Sequence, residues 1–333
     1  MNPLQDTKLS MLDLVAVREG GTVAEALAIA RDTARYVEQL GFTRYWVAEH
    51  HNMPGIASSA TAVLVGHMAG VTSRIRVGSG GIMLPNHAPL VVAEAFGTLA
   101  ELYPGRIDLG LGRAPGTDHL TMRALRRDRI ETEADFPREV AELQQLLGPR
   151  QPDQKVVAVP GSGTEVPIWL LGSSLFSARL AAERGLPYAF ASHFAPAMLI
   201  QAITIYRQNF RPSATLAKPY VMIGVPLIAA PSDDEAEFLA SSTYQRVLGI
   251  LRGDRRGLPP PVAGYLDGLA PQERSAIGDF LGAAVIGSPQ TVREGLLGLQ
   301  KVTAADEMIL VCDIFDPALR RRSLEIATAA LAG

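Results

Sequence analysis

Tyr45-Trp-Val-Ala-Glu-His-His51, Ile75-Arg-Val-Gly-Ser-Gly-Gly-Ile-Met-Leu-Pro85 and Gly105-Arg-Ile-Asp-Leu-Gly-Leu-Gly-Arg-Ala-Pro-Gly-Thr-Asp118 are three successive turns of one pattern. Each is a short apolar run that ends in polar, charged or glycine residues, and a helix-forming stretch separates it from the next. Strands that alternate with helices predict βα units and a parallel sheet. Polar clusters repeated at the carboxyl ends of the strands predict a site built along one edge of that sheet.

Outward from this stretch the pattern continues in both directions. Residues 9–17 read as a first strand. Thr22 with Glu25 forms a capping box for a helix to about residue 40, in which Ala26, Ile29, Ala30, Thr33, Val37 and Leu40 recur at helical spacing and Gly41 is the stop. The further expected strands are 45–48, 75–81, 107–111, 168–171, 188–191, 220–228 and 307–311. The expected helices are 58–70, 89–102, 136–147, 174–184, 196–210, 233–251, 289–301 and 317–332, with a short hairpin around 155–159. Eight strands alternating with helices predict a (β/α)8 TIM barrel, with one domain over 1–333. Residues 231–282 interrupt it between strands seven and eight as an insertion, either an excursion over the site or a lid.

Composition narrows the class. The chain has 333 residues, 47% apolar and 20% charged, with a net charge of −3 and a pI near 6.1. No basic stripe is available for nucleic acid. No apolar run is long enough for a membrane span, and no leader is visible, so a cytoplasmic protein is expected. The single cysteine, Cys312, lies inside an apolar run and reads as a buried structural thiol.

The strand ends carry the candidate chemistry. Glu49, His50 and His51 follow the second strand. Neighbouring residues on a strand point to opposite sides, and no spaced Cys/His/carboxylate cluster joins them, so the expectation is a proton donor or hydrogen-bonding group and no metal site. Gly78-Ser79-Gly80-Gly81 allows either close approach of a flat ligand or a barrel-corner bulge. The Gly110 to Gly116 run fails the dinucleotide pattern, because Pro115 stands where its third glycine would fall. Arg113 is left at a strand end, suited to an anionic oxygen. Gly172-Ser173-Ser174-Leu-Phe-Ser177 opens a helix and reads either as an anion site or as simple N-capping. His193 and Phe194 follow the sixth strand as a substrate-pocket wall or as a satisfied loop histidine and its neighbour.

Taken as one ordered set, Tyr45 to His51, Val77 to Pro89, Gly105 to Arg113, Gly172 to Ala178 and Gly287 to Arg293 resemble the bacterial luciferase-like family of flavin-dependent monooxygenases, in its non-luminescent single-chain-type subgroup. The likeness covers nearly all of the chain outside 231–282. It implies a barrel, a homodimer and FMN at the carboxyl end of the strands. It further implies that reduced FMN comes from a separate flavin reductase and reacts with O2 to a C4a-hydroperoxide. By position, His50 matches the active-site histidine, and Gly80 and Gly81 match a non-proline cis peptide beneath the flavin. Arg113, Ser173, Ser174 and Ser177 match the phosphate-binding residues, with Glu49 beside them in the cofactor set. His51, His193 and Phe194 are the expected substrate-pocket residues, and the charge-poor helix 58–70 matches the dimer face.

The chain departs from luciferases at Gly112, where they carry a reactive cysteine, so neither light emission nor a long-chain aldehyde is implied. The resemblance also admits an F420-dependent hydride-transfer enzyme, or a flavin-binding protein without catalysis. The substrate itself, expected to be a small organic molecule such as a natural-product intermediate, is not encoded in any motif.

Overall fold

Strand β1 (Lys8–Asp13) leads into α1 (Val23–Gln39), and the βα alternation then runs through β2 (Arg44–Val47), α2 (Thr61–Val71), β3 (Arg76–Met83), α3 (Pro89–Leu102) and β4 (Ile107–Gly112). Helices α4 (His119–Leu125) and α5 (Asp135–Leu147) precede β5 (Ile168–Gly172), α6 (Leu175–Arg184), β6 (Tyr188–Phe190), α7 (Leu199–Asn209) and β7 (Val221–Ala229). The chain closes with α8 (Asp233–Leu251), α9 (Pro271–Phe280), β8 (Val285–Gly287), α10 (Pro289–Thr303), β9 (Glu307–Val311) and α11 (Pro317–Ala332). This computed structural model describes residue 4 and residues 6–114, 119–125 and 135–332.

The pairings between these strands are parallel, and the ring β1-β2-β3-β4-β5-β6-β7-β9 closes on itself through β1 and β9. The expected (β/α)8 barrel is therefore the fold. The short β8 lies outside the ring and pairs with the far end of β7, Leu227 opposite Val285. No helix among the described residues is long and apolar enough to cross a membrane.

The barrel interior is layered along its axis. At the amino end Arg44 donates to Asp108 at 2.7 Å and to Glu307 at 3.0 Å, while Tyr220 donates to Glu307 at 2.8 Å and Arg76 to Asp108 at 2.6 Å. Above this plug Trp46 and Trp169 meet edge to face at 5.2 Å, with the Arg44 guanidinium 4.6 Å from the Trp169 ring. Buried charges of this kind are matched pairwise, and removing one partner would leave the other stranded, at a cost of about 3–5 kcal/mol. Leu12, Ala48, Ile309 and Val311 complete the apolar middle layer. A polar floor and a filled middle close the other end of the barrel interior, and in this fold ligands are received at the carboxyl end.

Several expected boundaries shift for identifiable reasons. The first strand stops at Asp13 instead of running to residue 17, because the Asp13 carboxylate accepts the Val15 N–H at 2.8 Å and Val15 turns to a φ of 53°. The second helix starts at Thr61 rather than residue 58, since the Ser58 and Thr61 hydroxyls both donate to the Ala48 carbonyl and hold the chain to the end of β2. The hairpin expected around 155–159 is absent. Turns pack there instead, with Gly161 so close to Gly97 that a Cβ on Gly97 would lie 2.3 Å from its Cα.

The 231–282 insertion is more regular than its Pro and Gly content suggested. It holds α8, a 3-10 turn and α9, and its 255–258 stretch is strapped down by Gly55 N–H to Arg255 O, Leu258 N–H to Val17 O and Glu19 N–H to Leu258 O. It therefore lies across the loops that follow β1 and β2, on the side of the barrel where the strands end. Cys312 is buried, as expected. Burial pushes its thiol up to about 11, which leaves it protonated at neutral pH.

Candidate active site at the carboxyl end of the barrel

In an eight-membered ring the second strand faces the sixth, and the fourth faces the last. His50, after β2, thus stands opposite His193, after β6. Arg113, after β4, stands opposite Asp313, after β9. The expected residues are distributed around this rim.

Glu49 is fully buried and acts as a hub. Its carboxylate accepts from His87 Nε2 at 2.8 Å, His51 Nε2 at 2.9 Å, the Met83 N–H at 3.0 Å and Asn86 Nδ2 at 3.3 Å. Burial pushes the carboxyl up, but these donors, His87 foremost, outweigh it and hold Glu49 below the usual carboxylate range. As an ionised acceptor it ties the turn after β3 to the end of β2. His51 thereby turns toward Glu49 and His87. Ligand atoms of these three residues lie within 4.8 Å of one another, and their short contacts are hydrogen bonds to the carboxylate.

His50 is held by its backbone N–H donating to Ser58 O at 2.9 Å. Its charge bears on His193 across the mouth.

The glycines of β3 and β4 set the shape beneath. Gly80–Gly81 is a cis peptide, and the β3–β4 register shifts between Ser79 and Ile82, which is the barrel-corner bulge of the two readings. A Cβ on Gly80 would meet Leu12 at 2.7 Å, and one on Gly81 the Gly110 carbonyl at 2.6 Å.

Arg113 leaves β4 and lays its guanidinium 4.4 Å from the Phe176 ring, in the first turn of α6. Ser174 is the N-cap of that helix, yet its side chain makes no capping bond. The Ser177 hydroxyl donates back to Ser174 O at 3.2 Å, through space that a Gly172 Cβ would close. A helix start, three hydroxyls and a cation thus meet at one spot. The rest of the Gly110 to Gly116 run, from Pro115 on, lies outside the described residues, as does much of the Arg-rich 121–129 segment.

His193 packs its ring edge to face on half-exposed Phe194 at 4.9 Å and stands over Gly224 of β7. Burial first, then the His50 and Arg246 charges, push its imidazole down to about 4, so it is neutral at pH 7.

Sequence reading missed three contributors. His87 follows the strand end within Leu84-Pro-Asn-His87, a polar turn that carried a readable signal. Gly224, inside an apolar strand, and Arg246, inside a helix of the insertion, carried almost none; Arg246 donates to Asp313 and bears on His193 from α8.

A family model described as luciferase-like monooxygenase matches residues 7–306. A luciferase-like monooxygenase of Escherichia coli (strain K12) is 51% identical over 318 residues, which cover 96% of this chain and 95% of that one. The Bacillus subtilis (strain 168) protein YvbT is 52% identical over 326 residues, 98% and 97% of the two chains. The crystal structure of apo-MsnO8 superposes with a TM-score of 0.87 at 34% identity over 98% of each chain. Two more distant structures share the fold. The FMN complex of the oxygenating constituent of a Pseudomonas putida 3,6-diketocamphane monooxygenase has a TM-score of 0.74 at 18% identity, with 98% of each chain covered. An F420-dependent secondary alcohol dehydrogenase has a TM-score of 0.71 at 14% identity, over 98% of this chain and 99% of that one.

Proposed function

The chain belongs to the luciferase-like monooxygenase family, and on that premise we propose that it uses reduced FMN and O2 to oxygenate a small organic substrate at the carboxyl mouth of the barrel. The observation that carries the cofactor reading is the meeting of Arg113 with the uncapped start of α6, 4.4 Å from Phe176. This arrangement fits the phosphate of FMN, and the side-chain-free Gly80–Gly81 surface fits a flat ring system. Bound reduced flavin supplies the electron pair for O2 activation, after which one oxygen atom goes to the substrate and the other leaves as water.

The residues of the chain do the rest. Arg113 and the Ser173 to Ser177 turn hold the phosphate. Glu49, through His87 and Met83, fixes the position of the Gly80–Gly81 surface. His50 holds or delivers a proton at its imidazole in the mouth, while neutral His193 adds a hydrogen-bonding group without a second charge. The apolar middle layer, with Leu12, Ala48 and Val311, limits water beside the reacting atoms. A separate reductase supplies the reduced flavin. The outer side of α2 and α3 exposes Val63 at 71%, Val91 at 59% and Leu102 at 63%, which supports a homodimer through that face.

The test is titration of the purified protein with FMN, reduced FMN and reduced F420, followed by oxygen uptake. Tight binding of reduced FMN with oxygen consumption is expected. Turnover with reduced F420 under anaerobic conditions would replace the reading with hydride transfer, and flavin binding without oxygen uptake would replace it with a carrier role.

A further inference from the structure

We propose that Arg246 is the receptor for a carboxylate on the substrate, so that the enzyme acts on anionic organic molecules held by their acid group at the β9 side of the mouth. This rests on the mouth being the reaction site, as proposed above.

The argument begins with hydrogen-bond satisfaction. Arg246 lies on α8 with its side chain 15% exposed, and its Nη2 donates to the Asp313 carboxylate. Its Nε and Nη1 are buried and have no partner, and the same holds for Ser242 Oγ one turn earlier and for His193 Nδ1. Buried polar groups in folded proteins are nearly always paired. Two unmet N–H-bearing atoms on one buried guanidinium leave it short of acceptors, and Nη1 with the second hydrogen of Nη2 forms an end-on fork suited to one planar acceptor. Asp313 is itself fixed, with Thr243 Oγ1 donating to its backbone carbonyl at 3.1 Å, so the guanidinium is held by one end and presents the other.

Ring geometry separates this cation from the phosphate site. Asp313 follows β9, which faces β4, the strand that delivers Arg113. A flavin anchored at Arg113 by its phosphate therefore leaves the opposite rim to a second ligand, with His50 and His193 on the perpendicular diameter between the two. Arg246 also lines a cleft of about 170 Å3 with Glu19, Gln245, Arg252, Arg256 and Tyr265, between α8 and the strapped segment of the insertion.

The chemistry favours a carboxylate over a doubly charged phosphate. The Arg246–Asp313 pair is neutral, so a bound carboxylate adds one net negative charge where a phosphate dianion would add two. The planar fork of donors matches two oxygens in one plane.

The experiment is calorimetric binding of hexanoate and benzoate, and of hexanamide and benzamide, to the FMN-loaded protein. It compares the wild type with Arg246→Lys and with the charge-neutral pair Arg246→Gln/Asp313→Asn. The wild type is expected to bind the acids at least tenfold more tightly than the amides. Arg246→Lys keeps a charge beside Asp313 but lacks the fork, and is expected to lose most of that difference while FMN affinity stays unchanged. The double variant is expected to lose it altogether. Equal binding of acids and amides, or no binding of the acids, overturns the proposal, as does an unchanged preference in Arg246→Lys. A parallel loss of FMN affinity assigns the guanidinium to the anionic edge of the flavin ring instead and also overturns it. No turnover enters the readout, so an acid preference in a protein that consumes no oxygen would sink the monooxygenase reading and leave this one standing.

Discussion

The imidazole of His193 occupies the space that a side chain on Gly224 would need: a Cβ built at Gly224 lies 2.3 Å from His193 Nδ1. Two strands of the barrel, β6 and β7, thus cooperate to seat one ring. Gly224 has no positive φ, so alanine meets no backbone objection there and the whole effect of Gly224→Ala falls on His193. The expected result is a stability loss of about 1–3 kcal/mol and an imidazole pushed outward into water. Chemical denaturation reads the first effect, and NMR titration of His193 reads the second as a rise toward the ordinary histidine range. A stable variant whose His193 titrates like the wild type would contradict this packing.

The same imidazole gives the stability a pH dependence of known sign. Burial, with the His50 and Arg246 charges, lowers its folded-state value to about 4, below the 6.5 of an unfolded chain. The unfolded state therefore takes up the proton first as pH falls. This contribution to stability is complete above about pH 6.5 and is lost progressively down to about pH 4. The ring edge keeps some contact with water, so the loss is on the order of 3 kcal/mol as a ceiling. Denaturation midpoints at pH 7 and pH 5 should converge in His193→Gln and separate in the wild type. An equal separation in both would show that another group carries the dependence.

Glu49 supports a different prediction, because every one of its contacts needs an anionic acceptor. In Glu49→Gln the amide offers one oxygen where His51, His87 and the Met83 N–H shared two. The expected stability loss is about 1–3 kcal/mol, with weaker FMN binding as the turn after β3 loosens around Gly80–Gly81. Thermal unfolding and flavin titration of the one variant check both. The carboxylate is held below the usual range, so its support is present above pH 4.5 and is lost as pH falls through the folded value.

The barrel was readable because each strand is buried on both faces and so appears as a short apolar run between helix signals. Thr22 with Glu25, Gly185 and Ser288 marked helix ends through local chemistry, and the structure shows each of them in that role. The site was half readable for a related reason. His50, Arg113 and the Ser173 turn sit at strand ends, where an unusual residue stands out against its apolar neighbours. Gly224 and Arg246 lie inside elements whose pattern is already explained by packing, and their meaning comes from what the ring places opposite them. Asp13 ended its strand early through a single side-chain bond to Val15, a contact that hydrophobic periodicity does not register.

The face of α2 and α3 carries a prediction on assembly. Val63 and Val91 are exposed on helices with almost no charged residues, and a homodimer would cover them. Val63→Glu would bury a carboxylate in that contact and is expected to weaken the dimer roughly 100-fold, about 3 kcal/mol. The variant's own fold should be unaffected, since the side chain touches solvent in the single chain. Sedimentation at micromolar concentration distinguishes the outcomes. A wild type that sediments as a monomer, or a Val63→Glu dimer as tight as the wild type, rules this face out.

His50 is the residue on which the chemistry turns. It faces His193 across the mouth, and its backbone N–H bonds Ser58 O, a contact that any non-proline residue at this position can make. His50→Ala is therefore expected to fold, to bind reduced FMN with near wild-type affinity, and to consume oxygen. What it should lose is coupling. Without the imidazole to hold or deliver the proton, oxygen is reduced to hydrogen peroxide instead of entering the substrate. General acid groups of this kind contribute about 10²–10⁴-fold, and a product loss of that size is expected. Oxygen uptake, peroxide release and product formation measured on the same sample decide it. Product and peroxide yields unchanged from the wild type would remove His50 from the reaction and point to His193 in its place.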